Sequence, residues 1–214
     1  MRKKIEILIM LVIFYLLYDH FIYKEPLIYE NGSDFIIDLQ KEPIQELYFG
    51  NEDIEIITEE GTFSVHPKAK YKIAGKIVSL TYYNYGSEAI ISPIDLCLVW
   101  GTLTQTDALN SITYTDGYRS CRYTIINNQQ FYNNGYTTSH ISNNHIIPAN
   151  DNIKKALEEI HENDDVYLEG YLVDIEALLK NDQVWKWNTS LIRTDTGCEI
   201  IYVKKMVVDK KLIK

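Results

Sequence analysis

The segment SHISNNHIIPAN, residues 139–150, holds two of the five histidines of the chain. Histidine is the side chain best suited to act as a general base or a metal ligand near neutral pH. His140 and His145 are five residues apart, a spacing that places them on opposite faces of a strand and about 140° apart on a helix. Only an irregular loop would turn both onto one ligand, so we expect an ordered polar loop that leads into a helix.

Any site built on these histidines needs further residues. Zinc sites use three or four protein ligands and the segment supplies no third one, so we expect no metal and no cofactor. Zinc or another divalent metal, completed by distant residues, is the alternative. A cysteine nucleophile needs a base, which either histidine would provide. The candidate catalytic residues are therefore His140, His145, Asp95 and Cys198. A small buried residue at the start of a strand is the competing interpretation of Cys198.

The cysteine count is odd, because the chain has Cys97, Cys121 and Cys198. In an exported domain, Cys97 and Cys121 would form a disulfide or all three would stay reduced, and the sequence leaves both open. The chain lacks a nucleophile-elbow motif, a phosphate-binding loop and a dinucleotide-binding fingerprint. The prediction therefore leans towards a protein that is not an enzyme.

The elements that would position these residues are mostly strands. Residues 71–80 alternate with a period of two, and Asp116-Gly117 lies between two alternating runs, which is typical of a hairpin. Residues 166–176 and the runs near 187–193 and 198–208 extend the pattern to six or seven strands. The predicted fold class is α+β, with a β-rich barrel or sandwich and an OB-like barrel as one candidate.

Two segments favour helices. Residues 92–101 open with Ser-Pro and have Asp95 at the third helical position, which resembles a capping box and predicts a short helix. Apolar residues at helical spacing predict one main helix near 151–162, capped by Asn150 or Asp151.

Residues 1–23 predict a cytoplasmic stub and a transmembrane anchor. Basic residues at 2–4 precede an apolar stretch over 5–23, close to the roughly 20 residues that span a bilayer. A cleaved signal peptide would end in small residues, which are absent here, and a buried core helix is the other alternative. The positive-inside rule places the remainder outside the cytoplasm. We therefore expect a single-pass protein of the bacterial inner membrane with an extracytoplasmic C-terminal domain.

Residues 24–60 predict an acidic stalk. They hold eleven acidic and two basic residues, so their charge of −9 equals that of the whole chain. This excess argues against nucleic acid as a partner, since phosphates would be repelled. Alternating apolar residues suggest that a short strand or two form in the stalk and pack on the domain. A β-rich domain over 61–208 and a basic tail over 209–214 complete the predicted organisation.

Four segments together resemble a family of uncharacterised bacterial proteins with one N-terminal membrane anchor. They are SPIDLCLVWG (92–101), SHISNNHIIPA (139–149), VYLEGYLVDIE (166–176) and WNTSLIRTDTGCE (187–199). The shared patterns are SPxDLxLxWG, HxxNxHxIPA, GYLV and TSLxRxDTG followed by CE, and the match covers roughly residues 65–203. This chain departs from the family in having Cys198 directly after Gly197, where the others have extra small residues. The resemblance implies no particular reaction.

The resemblance adds polar positions to the candidates. Beyond the four catalytic candidates, the shared residues are expected to contribute to binding, and they are Trp100, Asn143, Ser190, Arg193, Asp195 and Glu199. The first predicted function is a membrane-tethered extracytoplasmic binding or assembly domain. The second is a cell-envelope enzyme, metal-dependent or not, in which His140 or His145 acts with Asp95, Asp195 or Cys198. The third is a structural subunit of a membrane protein complex.

The expected partners follow from these functions. They are the membrane, through residues 5–23, and envelope proteins or another membrane protein, with no nucleic acid.

Overall fold

The computed structural model describes residues 9–10, 12–13, 26–180, 182–192 and 198–214, with Asp116 described by its backbone alone. The predicted anchor over 5–23 lies almost wholly outside these residues, and so do Arg193 and Asp195. Within the described part of the chain, no helix is both long and apolar enough to cross a membrane.

The described residues have an α+β fold dominated by strands. The strands are β1 (Glu30–Asn31), β2 (Ile44–Leu47), β3 (Ile54–Ile57), β4 (Gly61–Tyr82), β5 (Ile94–Val99), β6 (Ile112–Gly117), β7 (Ser120–Ile125), β8 (Ile141–Pro148), β9 (Asp165–Leu179), β10 (Val184–Trp187), β11 (Glu199–Val208) and β12 (Lys211–Ile213). The helices are α1 (Thr106–Asn110), α2 (Asn128–Asn133) and α3 (Asp151–Glu158).

Five of these strands close into a barrel. In ring order, β4 pairs with β5, β5 with β8, β8 with β11, β11 with β9, and β9 with β4 again. The β8–β11 pair is parallel and the others are antiparallel. Closure satisfies the backbone groups along both edges of each strand, so the ring itself has no free edge.

The barrel interior is the main hydrophobic core. It is filled by alternate residues of the five strands, such as Ile73, Leu96 and Ile201, together with the apolar side of α3. The long strand β4 alternates between buried and partly exposed residues, and its pairing shifts register near Lys68 and Val78. Such bulges bend a strand, which lets β4 curve around the barrel.

The predicted helix over 92–101 is wrong, because the segment contains β5. All six residues of β5 are buried, and its neighbours β4 and β8 pair with its backbone on both sides. Asp95 caps no helix but bonds to the side chains of His145 in β8 and Arg119 in the β6–β7 turn. Tertiary pairing therefore overrides the local capping signal.

The predicted loop over 139–150 is also wrong. A 3₁₀ turn, Thr138–His140, leads directly into β8, which is one of the five strands of the barrel. A buried strand tolerates the amides because the side chain of Asn144 donates to the Leu96 carbonyl and to the carbonyl and hydroxyl of Ser142.

The predicted main helix is confirmed as α3, although it ends earlier than residue 162. Its cap is Asn150, whose side chain accepts a hydrogen bond from the backbone N–H of Ile153 at 2.9 Å. The predicted hairpin is also present as β6–β7, but its two-residue turn is Tyr118-Arg119 rather than Asp116-Gly117.

The acidic segment and the basic tail both contribute to the sheet. Strands β2 and β3 of the predicted stalk pair with β4, and β1 pairs with β12, which lies in the predicted tail over 209–214. The N–H of Gly101 also donates to the carbonyl of Leu39 at 2.7 Å. Residues 26–60 therefore lie against the barrel at several places.

Candidate functional site

Three of the four candidate catalytic residues converge on the outer face of the barrel. Asp95 of β5 lies directly opposite His145 of β8. Strand β11 runs beside β8 with Glu199 opposite Asn144, so the preceding Cys198 lies beside Asn143. Side chains at paired positions project from the same face of a sheet. The three neighbouring strands therefore bring Asp95, His145 and Cys198 together.

The contacts among these side chains form a chain from carboxylate to thiol. His145 Nδ1 lies 2.8 Å from Asp95 Oδ1, and both side chains are almost fully buried, at 3% and 4% exposure. Cys198, immediately before β11, projects from the same face, and its interaction with the His145 ring helps to raise the pKa of His145. Because Nδ1 faces Asp95, Nε2 is the nitrogen available to the thiol. Asn143 Nδ2 donates to Cys198 Sγ at 3.6 Å.

The electrostatics of the site favour protonated His145. Burial lowers the pKa of His145, but hydrogen bonds and negative charge from Asp95 and Cys198 outweigh it, so the net pKa is raised above its ordinary value. An imidazole with these partners is suited to accept a proton from the adjacent thiol.

Arg119 is a member of the site that sequence reasoning missed. Its Nη1 donates to Asp95 Oδ1 at 2.7 Å and its Nη2 donates to the carbonyl of Ser92 at 2.9 Å. The guanidinium lies 3.8 Å from the ring centroid of Tyr83, whose hydroxyl accepts from the Arg119 N–H. Asp95 is thus held from two sides, by a cation and by an imidazole.

A disulfide holds Arg119 in place. Cys97 of β5 is bonded to Cys121 of β7, with 5.4 Å between their Cα atoms. The bond fastens the β6–β7 hairpin against the barrel, two residues from Arg119. Arg119 could have been identified from the sequence because it lies two residues before Cys121. A Cys97–Cys121 bond brings that segment near Asp95. Cys198 is a free thiol, and its Sγ lies 3.8 Å from the carbonyl of Arg119.

Aromatic and backbone contacts cover the other side of the site. The ring of Trp187 in β10 lies 4.6 Å from the ring of His145, and Trp185 packs against Trp187 at 5.7 Å. The N–H of Ser190 donates to the carbonyl of Cys198 at 3.1 Å. Ser190 therefore contacts the backbone of the site residue.

His140 and Trp100 belong to a separate group on another part of the barrel. His140 Nε2 lies 3.0 Å from Glu42 Oε1, and Trp100 Nε1 donates to Glu42 Oε2 at 3.0 Å. Glu199 is also apart from the site. It follows Cys198 directly and pairs in register with Asn144, so its side chain lies on the interior side of β11.

The site combines a thiol, an imidazole and a carboxylate, which together suit chemistry at sulfur. Among the described residues, no group of three or more His, Cys, Asp or Glu side chains is placed to hold a metal ion. A half-buried thiol, an imidazole and a carboxylate that adjoin on one face of a sheet are the three parts of an activated cysteine nucleophile.

Comparisons of the chain with protein-family models, curated proteins and solved structures found no match.

Proposed function

We propose that this protein is a cysteine-dependent enzyme of acyl transfer or hydrolysis, with Cys198 as nucleophile, His145 as general base and Asp95 as the residue that orients His145. The observation that carries the proposal is the placement of Cys198, His145 and Asp95 side by side on one face of three neighbouring strands, with His145 hydrogen-bonded to Asp95. It favours the enzyme function over the binding function that motif searching alone suggests.

The chemistry follows from the order of the contacts. His145 Nε2 takes the proton of the Cys198 thiol, and the thiolate attacks the carbonyl carbon of an ester, thioester or amide. Asn143 Nδ2, 3.6 Å from Sγ, is a donor beside the sulfur for the oxyanion that forms. The protonated His145 returns its proton to the leaving group, and water or another acceptor then takes the acyl group from sulfur.

The predicted membrane tether remains part of the proposal. Residues 5–23 would anchor the chain in the inner membrane, and the barrel would act outside the cytoplasm on envelope material. The Cys97–Cys121 disulfide supports this location, because disulfides persist in oxidising compartments. The ring order of the barrel strands, with α3 between β8 and β9, supports an OB-like barrel.

One observation favours a second candidate function, a binding or assembly domain or a structural subunit of a membrane complex. Asp95 Oδ1 accepts from Arg119 as well as from His145, so the same contacts also fasten the β6–β7 hairpin to the barrel. In that case the cluster holds the fold together, and Cys198 reacts like any half-buried thiol.

The experiment that separates the two is acyl trapping on the full-length protein. The protein is incubated with p-nitrophenyl acetate, and intact mass and peptide mapping locate the acetyl group. The proposal predicts rapid acetylation of Cys198, which Cys198→Ser abolishes and His145→Gln slows by about a hundredfold or more.

The variant His140→Gln is the matched control, because it removes a histidine of the same strand region outside the site. It should acetylate at the wild-type rate. Equal rates in wild type and His145→Gln would contradict the enzyme function and leave the structural one.

A further inference from the structure

A groove on the seam where β9 meets β4 and β11 is independent of the cysteine site. It encloses about 430 Å³. Its walls carry four lysines and two glutamates, beside the ring of Tyr171 and the apolar side chain of Ile44, and the charged residues are Lys70, Lys72, Lys204, Lys205, Glu46 and Glu169. A net positive groove is unusual on this chain, whose overall charge is −9.

The backbone is shaped to gather these lysines. Successive residues of a regular strand point to opposite faces, so Lys204 and Lys205 would ordinarily diverge. The β9–β11 pairing shifts register between Val203 and Lys205, which makes Lys204 an extra residue in β11. A bulge of this kind redirects side chains, and here both lysines line the groove. Lys70 and Lys72 are two apart on β4 and share a face.

The acidic residues leave part of the positive charge uncompensated. Glu169 lies 3.4 Å from Lys72 Nζ and 3.5 Å from Lys205 Nζ, and it accepts a hydrogen bond from the hydroxyl of Tyr167. Burial raises the pKa of Glu169, but the Tyr167 hydroxyl and the two lysines lower it by more. The net pKa is therefore below its ordinary value, and the carboxylate stays ionised at neutral pH.

Two lysines remain for a ligand. Glu46 lies opposite Lys70 across the β2–β4 pair, but among the described residues neither Lys70 nor Lys204 forms an ion pair. Lys204 Nζ instead lies 5.4 Å from the ring centroid of Tyr171. Tyr171 packs edge-on against Tyr48, so its ring is a fixed aromatic wall beside the ammonium group of Lys204.

We propose that this groove binds a phosphate group that carries two negative charges, with Lys70 and Lys204 as its main contacts. Ammonium groups bind phosphate as point charges, and Lys70 and Lys204 are both exposed and so accessible to a ligand. The phosphate belongs either to a soluble phosphate ester or to a lipid headgroup, and both present the same dianion to the lysines.

Calorimetric titration of the full-length protein with pyrophosphate tests the site directly. Wild type should bind pyrophosphate saturably with one site per chain. Lys70→Gln/Lys204→Gln should weaken binding at least about tenfold, since two charge-assisted contacts are lost. The control Lys154→Gln/Lys210→Gln removes two exposed lysines elsewhere and should bind like wild type.

A second arm uses vesicles of phosphatidylcholine with or without phosphatidic acid. A wild-type preference for phosphatidic acid that is lost in Lys70→Gln/Lys204→Gln, but kept in the control, supports the site and assigns the phosphate to lipid. Pyrophosphate binding without that preference supports the site with a soluble ligand. The proposal is overturned if neither probe binds, or if the groove variant and the control lose binding equally.

Discussion

His140 immediately precedes β8 and His145 lies within it, and each lies beside a carboxylate and a tryptophan, yet their surroundings differ. His145 is 3% exposed and bonds to Asp95, which is 4% exposed, whereas His140 is 18% exposed and its partner Glu42 is 57% exposed. Of the two histidines, His145 is the one whose face of the sheet also carries the thiol of Cys198. A histidine–carboxylate pair alone therefore does not make a candidate site; burial and an adjacent nucleophile do.

The largest expected difference concerns the two carboxylates. Asp95→Ala leaves Arg119 and His145 buried without their anion, so the free energy of unfolding should fall by about 3–5 kcal/mol. Glu42→Ala removes a half-exposed partner and should cost about 1 kcal/mol or less. Urea unfolding of both variants measures the two losses of unfolding free energy. Similar losses in the two variants would remove the distinction between the two groups.

The next effect comes from the disulfide that supports only the His145 group. Cys97→Ala/Cys121→Ala opens a loop of 24 residues, and the free energy of unfolding should fall by about 3 kcal/mol. Hydrogen exchange should accelerate in β6 and β7, which carry Arg119 at their turn, while the segment around His140 keeps its protection. Uniform acceleration in both regions would show that the disulfide does not act locally.

A smaller effect is expected for His140→Gln. This substitution removes the contact with Glu42 and leaves the backbone of β8 intact, so it should cost about 0.5–1.5 kcal/mol, the range for one hydrogen bond. Urea unfolding measures the cost. A loss as large as that of Asp95→Ala would mean that the Glu42 group is a structural centre in its own right.

The smallest expected effect is a change in how steeply the free energy of unfolding varies with pH. Because the folded-state pKa of His145 is raised, its protonation stabilises the fold. That contribution is complete below about pH 6.5 and is lost as the pH rises through the raised pKa. Urea unfolding at a series of pH values should show this fall in wild type and in His140→Gln, and a flatter profile in His145→Gln. Identical profiles in all three proteins would contradict the assigned cause.

Periodicity predicted the β-rich domain, the main helix and the hairpin, because these depend on local patterns that the fold preserves. It failed at β5 and β8. In both strands local signals for a cap or a loop, carried by Ser92-Pro93 and by the amides near Asn143, are overridden by pairing with strands distant in sequence. Residues whose role comes from long-range pairing carry little local signature.

The site shows the same limit. Asp95, His145 and Cys198 were recognisable by residue type, but their convergence depends on the register of three strands. Arg119 was missed because it reaches Asp95 from a separate two-stranded sheet, through a disulfide that the sequence left open. His140 was grouped with His145 by proximity in sequence, and strand geometry separates them.

The pH dependence of Cys198 alkylation shows directly whether His145 activates this thiol. Cys198 is the free thiol beside the disulfide, so iodoacetamide labelling followed by intact mass reports on it alone. At about pH 6.5, wild type and His140→Gln should react at equal rates, and His145→Gln at least about tenfold more slowly. At about pH 10, where thiols ionise without help, all three should react alike. Equal rates for wild type and His145→Gln at the lower pH would show that His145 does not activate Cys198.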